Sequence, residues 1–148
     1  MQLALVLCLP RDAETVQLTR GVLDASLKVL GVTAETRDDI TLALGEACAN
    51  VVQHADPADE YEMRVGVHDS RCRIEVIDAG RGFDAAMLEK VRADATLTAE
   101  HGRGLQIIDA LAENLQIANG PQHGAMVRFE KPLAWEPGSA GQHFVVDD

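Results

Sequence analysis

The sequence predicts an α+β fold, a two-layer α/β sandwich in which a mixed, mostly antiparallel sheet carries helices on one face. Two observations predict it. Alternating and helix-periodic segments follow one another as β-α-α-β-β-(α)-α-β-β, with short turn signals between them. The apolar residues, 47% of 148, are nearly all aliphatic, since aromatics make up only 3%. A chain of this length can therefore bury one core of Leu, Val, Ile and Ala, and one domain is expected.

Residues 2–9 read as a strand and not as a signal peptide: the run is short, has no basic residue ahead of it, and meets Pro10-Arg11-Asp12 at once. Asp12 is placed to cap a helix over 13–30, with Glu14 in its first turn and Gly31 as its stop. Val16, Leu18, Val22, Leu23, Leu27 and Leu30 give that helix its apolar stripe. A second helix starts near Thr33 or Ala34 and runs to about His54, where Ala55-Asp56-Pro57 ends it, because proline disfavours helix in the residue before it. Strands over 61–68 and 71–77 alternate at Met63, Val65, Val67 and at Cys72, Ile74, Val76, joined as a hairpin by Asp69-Ser70. A glycine-rich loop follows over 78–83, then a short helix over 84–92 and a small, polar, mobile segment over 93–101. A helix over 104–111 and two strands, 115–118 and 125–129, complete the pattern. The domain is expected to span 1–133. Beyond it the periodicity dissolves, and 134–148 is expected to be a flexible C-terminal tail.

The formal net charge of −11 argues against nucleic acid, which needs a basic face. No run approaches the roughly 20 apolar residues that span a bilayer. A cytoplasmic protein with no membrane association, able to attract a basic protein partner, is the expectation. Any anionic ligand must then be held by backbone N–H groups, a metal and a few local cations. Cys8, Cys48 and Cys72 are odd in number and widely spaced, so they read as small reduced core residues and not as a zinc or disulfide framework.

Three patterns can carry chemistry. Glu46, Asn50 and His54 share one face of the second helix. There an amide oxygen can ligate a hard cation such as Mg²⁺, and a carboxylate can orient or deprotonate a hydroxyl. Asp78-x-Gly80-x-Gly82 follows a β-branched strand directly. Its glycines permit close approach of a ligand, and its carboxylate can accept from an exocyclic amine. Gly102-Arg103-Gly104-Leu105 opens a helix, whose free N–H groups and dipole favour phosphate. Taken singly, each also fits a bland feature: a solvated helix face, a tight turn, a capped helix. Their order, each at the matching structural boundary, is what points to a nucleotide.

With these residues in place the sequence resembles the GHKL ATPase superfamily. Within it, the chain looks most like the small bacterial anti-sigma factors with serine-protein kinase activity, the RsbW and SpoIIAB type. The resemblance covers residues 3–132. It implies that ATP and Mg²⁺ are the cofactors, with Glu46 as general base, Asn50 holding Mg²⁺ and Asp78 reading the adenine amino group. Gly80, Gly82, Gly102, Arg103, Gly104 and Leu105 would line the nucleotide, and Gly124 to Phe129 would match a further box. It also implies a sigma factor and an anti-anti-sigma STAS-domain protein as partners, contact through Arg20 on the first helix, and room for a homodimer. The sequence departs at Gly124-Ala125, where the family usually has Gly-Thr. Losing that hydroxyl removes a hydrogen bond worth about 0.5–1.5 kcal/mol, which weakens nucleotide binding. Three functions follow: a kinase that switches a sigma factor between partners, a binding module that grips a protein without catalysis, or an ATP-hydrolysing switch.

Overall fold

The computed structural model describes residues 2–53, 60–78, 102–120 and 124–146. Five strands, β1 (Gln2–Pro10), β2 (Glu60–His68), β3 (Arg71–Asp78), β4 (Glu113–Gly120) and β5 (Gly124–Pro132), form one sheet in the order β1-β2-β3-β5-β4. Four helices, α1 (Ala13–Leu30), α2 (Ala34–Gln53), α3 (Gly102–Leu111) and α4 (Ala140–Val146), complete the described residues. Every pairing among them is antiparallel, where a mixed sheet was expected. The physical reason lies in the connection: two helices, not one, separate β1 from β2, so the chain re-enters the sheet reversed. The expected helix over 84–92 and mobile segment over 93–101 lie outside the described residues.

Register explains the core. Leu7, Met63, Val76, Val127 and Ile117 form one row across all five strands, and Leu5, Val65, Ile74 and Phe129 form a second row across four. Both rows face the helices, which lay Leu23, Leu27, Ile40, Leu44, Val51 and Ile108 upon them, all fully or almost fully buried. On the opposite face the sheet is charged. Arg64 pairs with Glu62 at 2.7 Å, and Arg73 pairs with Glu130 at 3.1 Å. A single layer of helices is therefore enough, because period-two alternation puts the polar set toward water.

Local chemistry fixes the helix ends. Asp12 accepts a hydrogen bond from the Glu14 N–H at 2.9 Å, as its N-cap position requires. Gly31 closes α1 at φ 97°, in the left-handed region, and its N–H donates to the carbonyls of Leu27 and Lys28. A Cβ at Gly31 would also fall 2.0 Å from the Ser139 Cβ. Gly31→Ala is thus expected to lose more than about 1 kcal/mol, seen as a lower urea midpoint at unchanged m-value.

Ser139 belongs to the segment that was expected to be loose, and that expectation is corrected here. Past Pro132 the backbone is tied to the α1–α2 turn. Glu136 N–H donates to Gly31 O at 2.7 Å, Thr33 N–H donates to Ala134 O at 2.9 Å, and Trp135 Nε1 donates to Ser70 Oγ at 3.1 Å. Gly141 of α4 sits where any Cβ would meet the Trp135 ring at 2.0 Å. These are contacts between residues far apart in sequence, so no local periodicity announces them. Among the cysteines, Cys48 and Cys72 are buried as expected, and burial pushes their thiols up to about 11 and about 12. Cys8 is exposed, on the solvent side of edge strand β1.

Candidate active site

The second helix delivers the first two side chains. Its apolar positions Ala43, Leu44, Ala47, Cys48 and Val51 are buried against the sheet, which turns Glu46 and Asn50 toward the flank where α3 packs. Both are half-buried. Glu46 meets the first turn of α3 directly. A Cβ placed on Gly104 would lie 2.8 Å from Glu46 Oε2 and 3.7 Å from its Cβ. Only glycine leaves the carboxylate that position. The same first turn presents backbone N–H groups that the helix does not use internally, so carboxylate and anion-binding donors sit side by side. Leu105 and Ile108 anchor α3 in the core and fix this approach.

One turn further along α2, Asn50 carries a buried Nδ2 with no hydrogen-bond partner among the described residues. An amide left so in a native site calls for a ligand or water, because an unsatisfied buried polar group costs about 1–3 kcal/mol. The unpartnered atom is the donor of the amide; a hard cation would be held by the carbonyl oxygen of the same group, which is the chemistry expected of Asn50.

Asp78 ends β3, opposite Tyr61 of β2. Its side chain is 13% exposed and forms an ion pair with Arg11, which is 1% exposed. Arg11 was not singled out from the sequence. The only signal was a charged residue between a strand end and an N-cap, which ordinarily means a solvated turn. Arg20, on α1, packs its stem against Gly45, 3.3 Å from where a Cβ would stand, and its buried Nε has no hydrogen-bond partner among the described residues. Gly45 precedes Glu46, so Arg20 borders the carboxylate's own helix turn. Gly80, Gly82 and His54, and the side chain of Arg103, lie outside the described residues, while Gly102 opens α3. No three His, Cys, Asp or Glu side chains converge on a metal position among the described residues. No helix there is long and apolar enough to cross a membrane.

Residues 9–131 match the histidine kinase-like ATPase domain family. The chain belongs to this family. Among known members of these ATPases, it is similar to the serine-protein kinase RsbW of Oceanobacillus iheyensis, at 29% identity over 86% of this chain and 85% of that protein. It is also similar to the serine-protein kinase RsbW of Bacillus thuringiensis strain Al Hakam, at 32% identity over 74% of this chain and 73% of that protein. The crystal structure of the RsbU and RsbW domains of Rv1364c from Mycobacterium tuberculosis shares the fold. The TM-score is 0.62 at 19% identity, over 88% of this chain and 32% of that longer one. An ATPase-family fold thus underlies Glu46, Asn50 and Asp78, and the α+β architecture expected from the sequence is the one found.

Proposed function

We propose that this protein is an ATP-dependent serine/threonine-protein kinase and anti-sigma factor. It phosphorylates an anti-anti-sigma STAS-domain protein and so controls a sigma factor by partner switching. The observation that carries the reading is the contact of the Glu46 carboxylate with Gly104 at the N-terminus of α3. It sets a proton acceptor beside donors suited to a phosphoryl group.

When bound, Mg·ATP supplies the transferable phosphoryl group and metal charge to offset its negative oxygens. The chain's own residues do the rest. Asp78 would accept from the base, Asn50 would hold the metal through its amide oxygen, and the first turn of α3 would offer its N–H groups to the phosphates, with Arg103 the cation expected there. Gly80 and Gly82 are the residues expected from the sequence to allow close approach of the nucleotide. Glu46 orients the hydroxyl of the acceptor serine or threonine and receives its proton as the oxygen bonds to phosphorus and ADP leaves. Phosphorylation then releases the acceptor protein, since a dianionic phosphate is repelled from an apolar interface. Arg20, beside Gly45, would contact the partner near the site. A second copy of the chain would take the β1 edge, where Val6 is 53% exposed.

Calorimetry tests the nucleotide part. ATP is expected to bind with Mg²⁺ strengthening the interaction, and Asn50→Ala is expected to abolish most of that Mg²⁺ dependence. No heat up to millimolar ATP would instead favour a non-catalytic module that sequesters its partner, the reading that Ala125 supports. Pull-downs with and without ATP, with captured proteins identified by mass, test the sigma-factor arm.

A further inference from the structure

We propose that Arg11 makes the base pocket selective for a 6-aminopurine, by holding Asp78 as a carboxylate that can only accept hydrogen bonds. The inference rests on the reading of Asp78 as the residue that meets the base.

Arg11 follows the last pair of β1, Pro10 with Glu60, and reaches back across β2 to the row in which Tyr61 faces Asp78. A guanidinium that is 1% exposed keeps its charge, because arginine does not deprotonate in proteins. Such a group is tolerated inside a protein only against an anion, and its Nη2 is paired with Asp78 Oδ1. The Tyr61 hydroxyl is engaged with Thr15 Oγ1 at 2.8 Å, and Ala125, next to the Met126 that pairs with Ile77, has no polar side-chain atom.

Chemistry at the base follows from this pairing. An ionised carboxylate accepts from the 6-amino group of adenine and repels the lone pairs of a 6-keto oxygen. Without the guanidinium, a carboxyl this buried takes up a proton more readily. The protonated form can then donate to a keto oxygen. Arg11 also offsets one negative charge in a chain of net charge −11 that must admit a triphosphate. Because it acts through Asp78, Arg11 is a positioning residue.

The test compares ATP with inosine triphosphate, its 6-keto analogue, by calorimetry on the full chain with Mg²⁺. Wild type is expected to prefer ATP by about 100-fold or more. Arg11→Met is expected to weaken ATP binding about tenfold and to compress the ATP-to-inosine preference below about tenfold, whereas Arg11→Lys retains most of it. Arg11→Gln, which keeps the stem and drops the charge, reads the same way should the Met variant fail to fold. A preference unchanged in a folded Arg11→Met or Arg11→Gln protein overturns the proposal. Asp78→Asn separates the two levels. If it alters the preference while the Arg11 variants do not, only the Arg11 assignment fails. If it leaves the preference intact, Asp78 does not read the base, and both fall.

Discussion

Glu46→Gln is expected to slow phosphoryl transfer to a serine acceptor by about 10²–10⁴-fold while leaving ATP affinity within a few-fold of wild type. Glutamine preserves the shape of the side chain and its contact with Gly104, so the packing of α2 on α3 should survive. What it loses is the capacity to receive the hydroxyl proton. Single-turnover assays with pre-bound ATP isolate that step from nucleotide binding. A variant that lost ATP affinity and transfer in parallel would show Glu46 to be a binding residue instead.

The second large effect comes from a residue with no side chain. Gly104→Ala places a methyl group 2.8 Å from Glu46 Oε2, closer than such atoms pack. The atom it meets is the far end of a flexible side chain. Relief therefore comes from moving the carboxylate, and the fold should lose little stability. Displacing a catalytic group by about 1 Å can cost around 100-fold in rate, and a loss of roughly that size is expected for Gly104→Ala. Thermal melting should show a nearly native midpoint, and ATP calorimetry a nearly native affinity. A Gly104→Ala protein with full transfer activity would mean that the carboxylate position is not critical.

Much of the fold was legible in the sequence because local rules governed it. The α1 helix runs over the residues that Asp12 and Gly31 bracket, and the β2–β3 hairpin turns at Asp69 and Ser70, both at positive φ. Period-two alternation in these strands identified the inner face before any neighbour was known. The site was legible in part. Glu46 and Asn50 could be placed on one helix face from their spacing, but the approach of Glu46 to Gly104 needed α2 packed on α3. Arg11 was invisible for the same reason: its partner Asp78 lies across an intervening strand, far away in sequence. The docking of Trp135 onto Ser70 was hidden likewise. There, a segment rich in glycine, proline and serine looked loose, although Gly141 is what leaves room for the tryptophan ring beside α4.

One measurement bears most directly on the central claim, that Glu46 serves a serine/threonine kinase. Purified protein is incubated with Mg²⁺, ATP labelled at the γ-phosphate and an anti-anti-sigma STAS-domain protein, beside a Glu46→Gln control. Label on a serine or threonine of the acceptor, lost with the control, is the predicted result. ATP binding by calorimetry with no label on the acceptor, or equal label with wild type and Glu46→Gln, would contradict it.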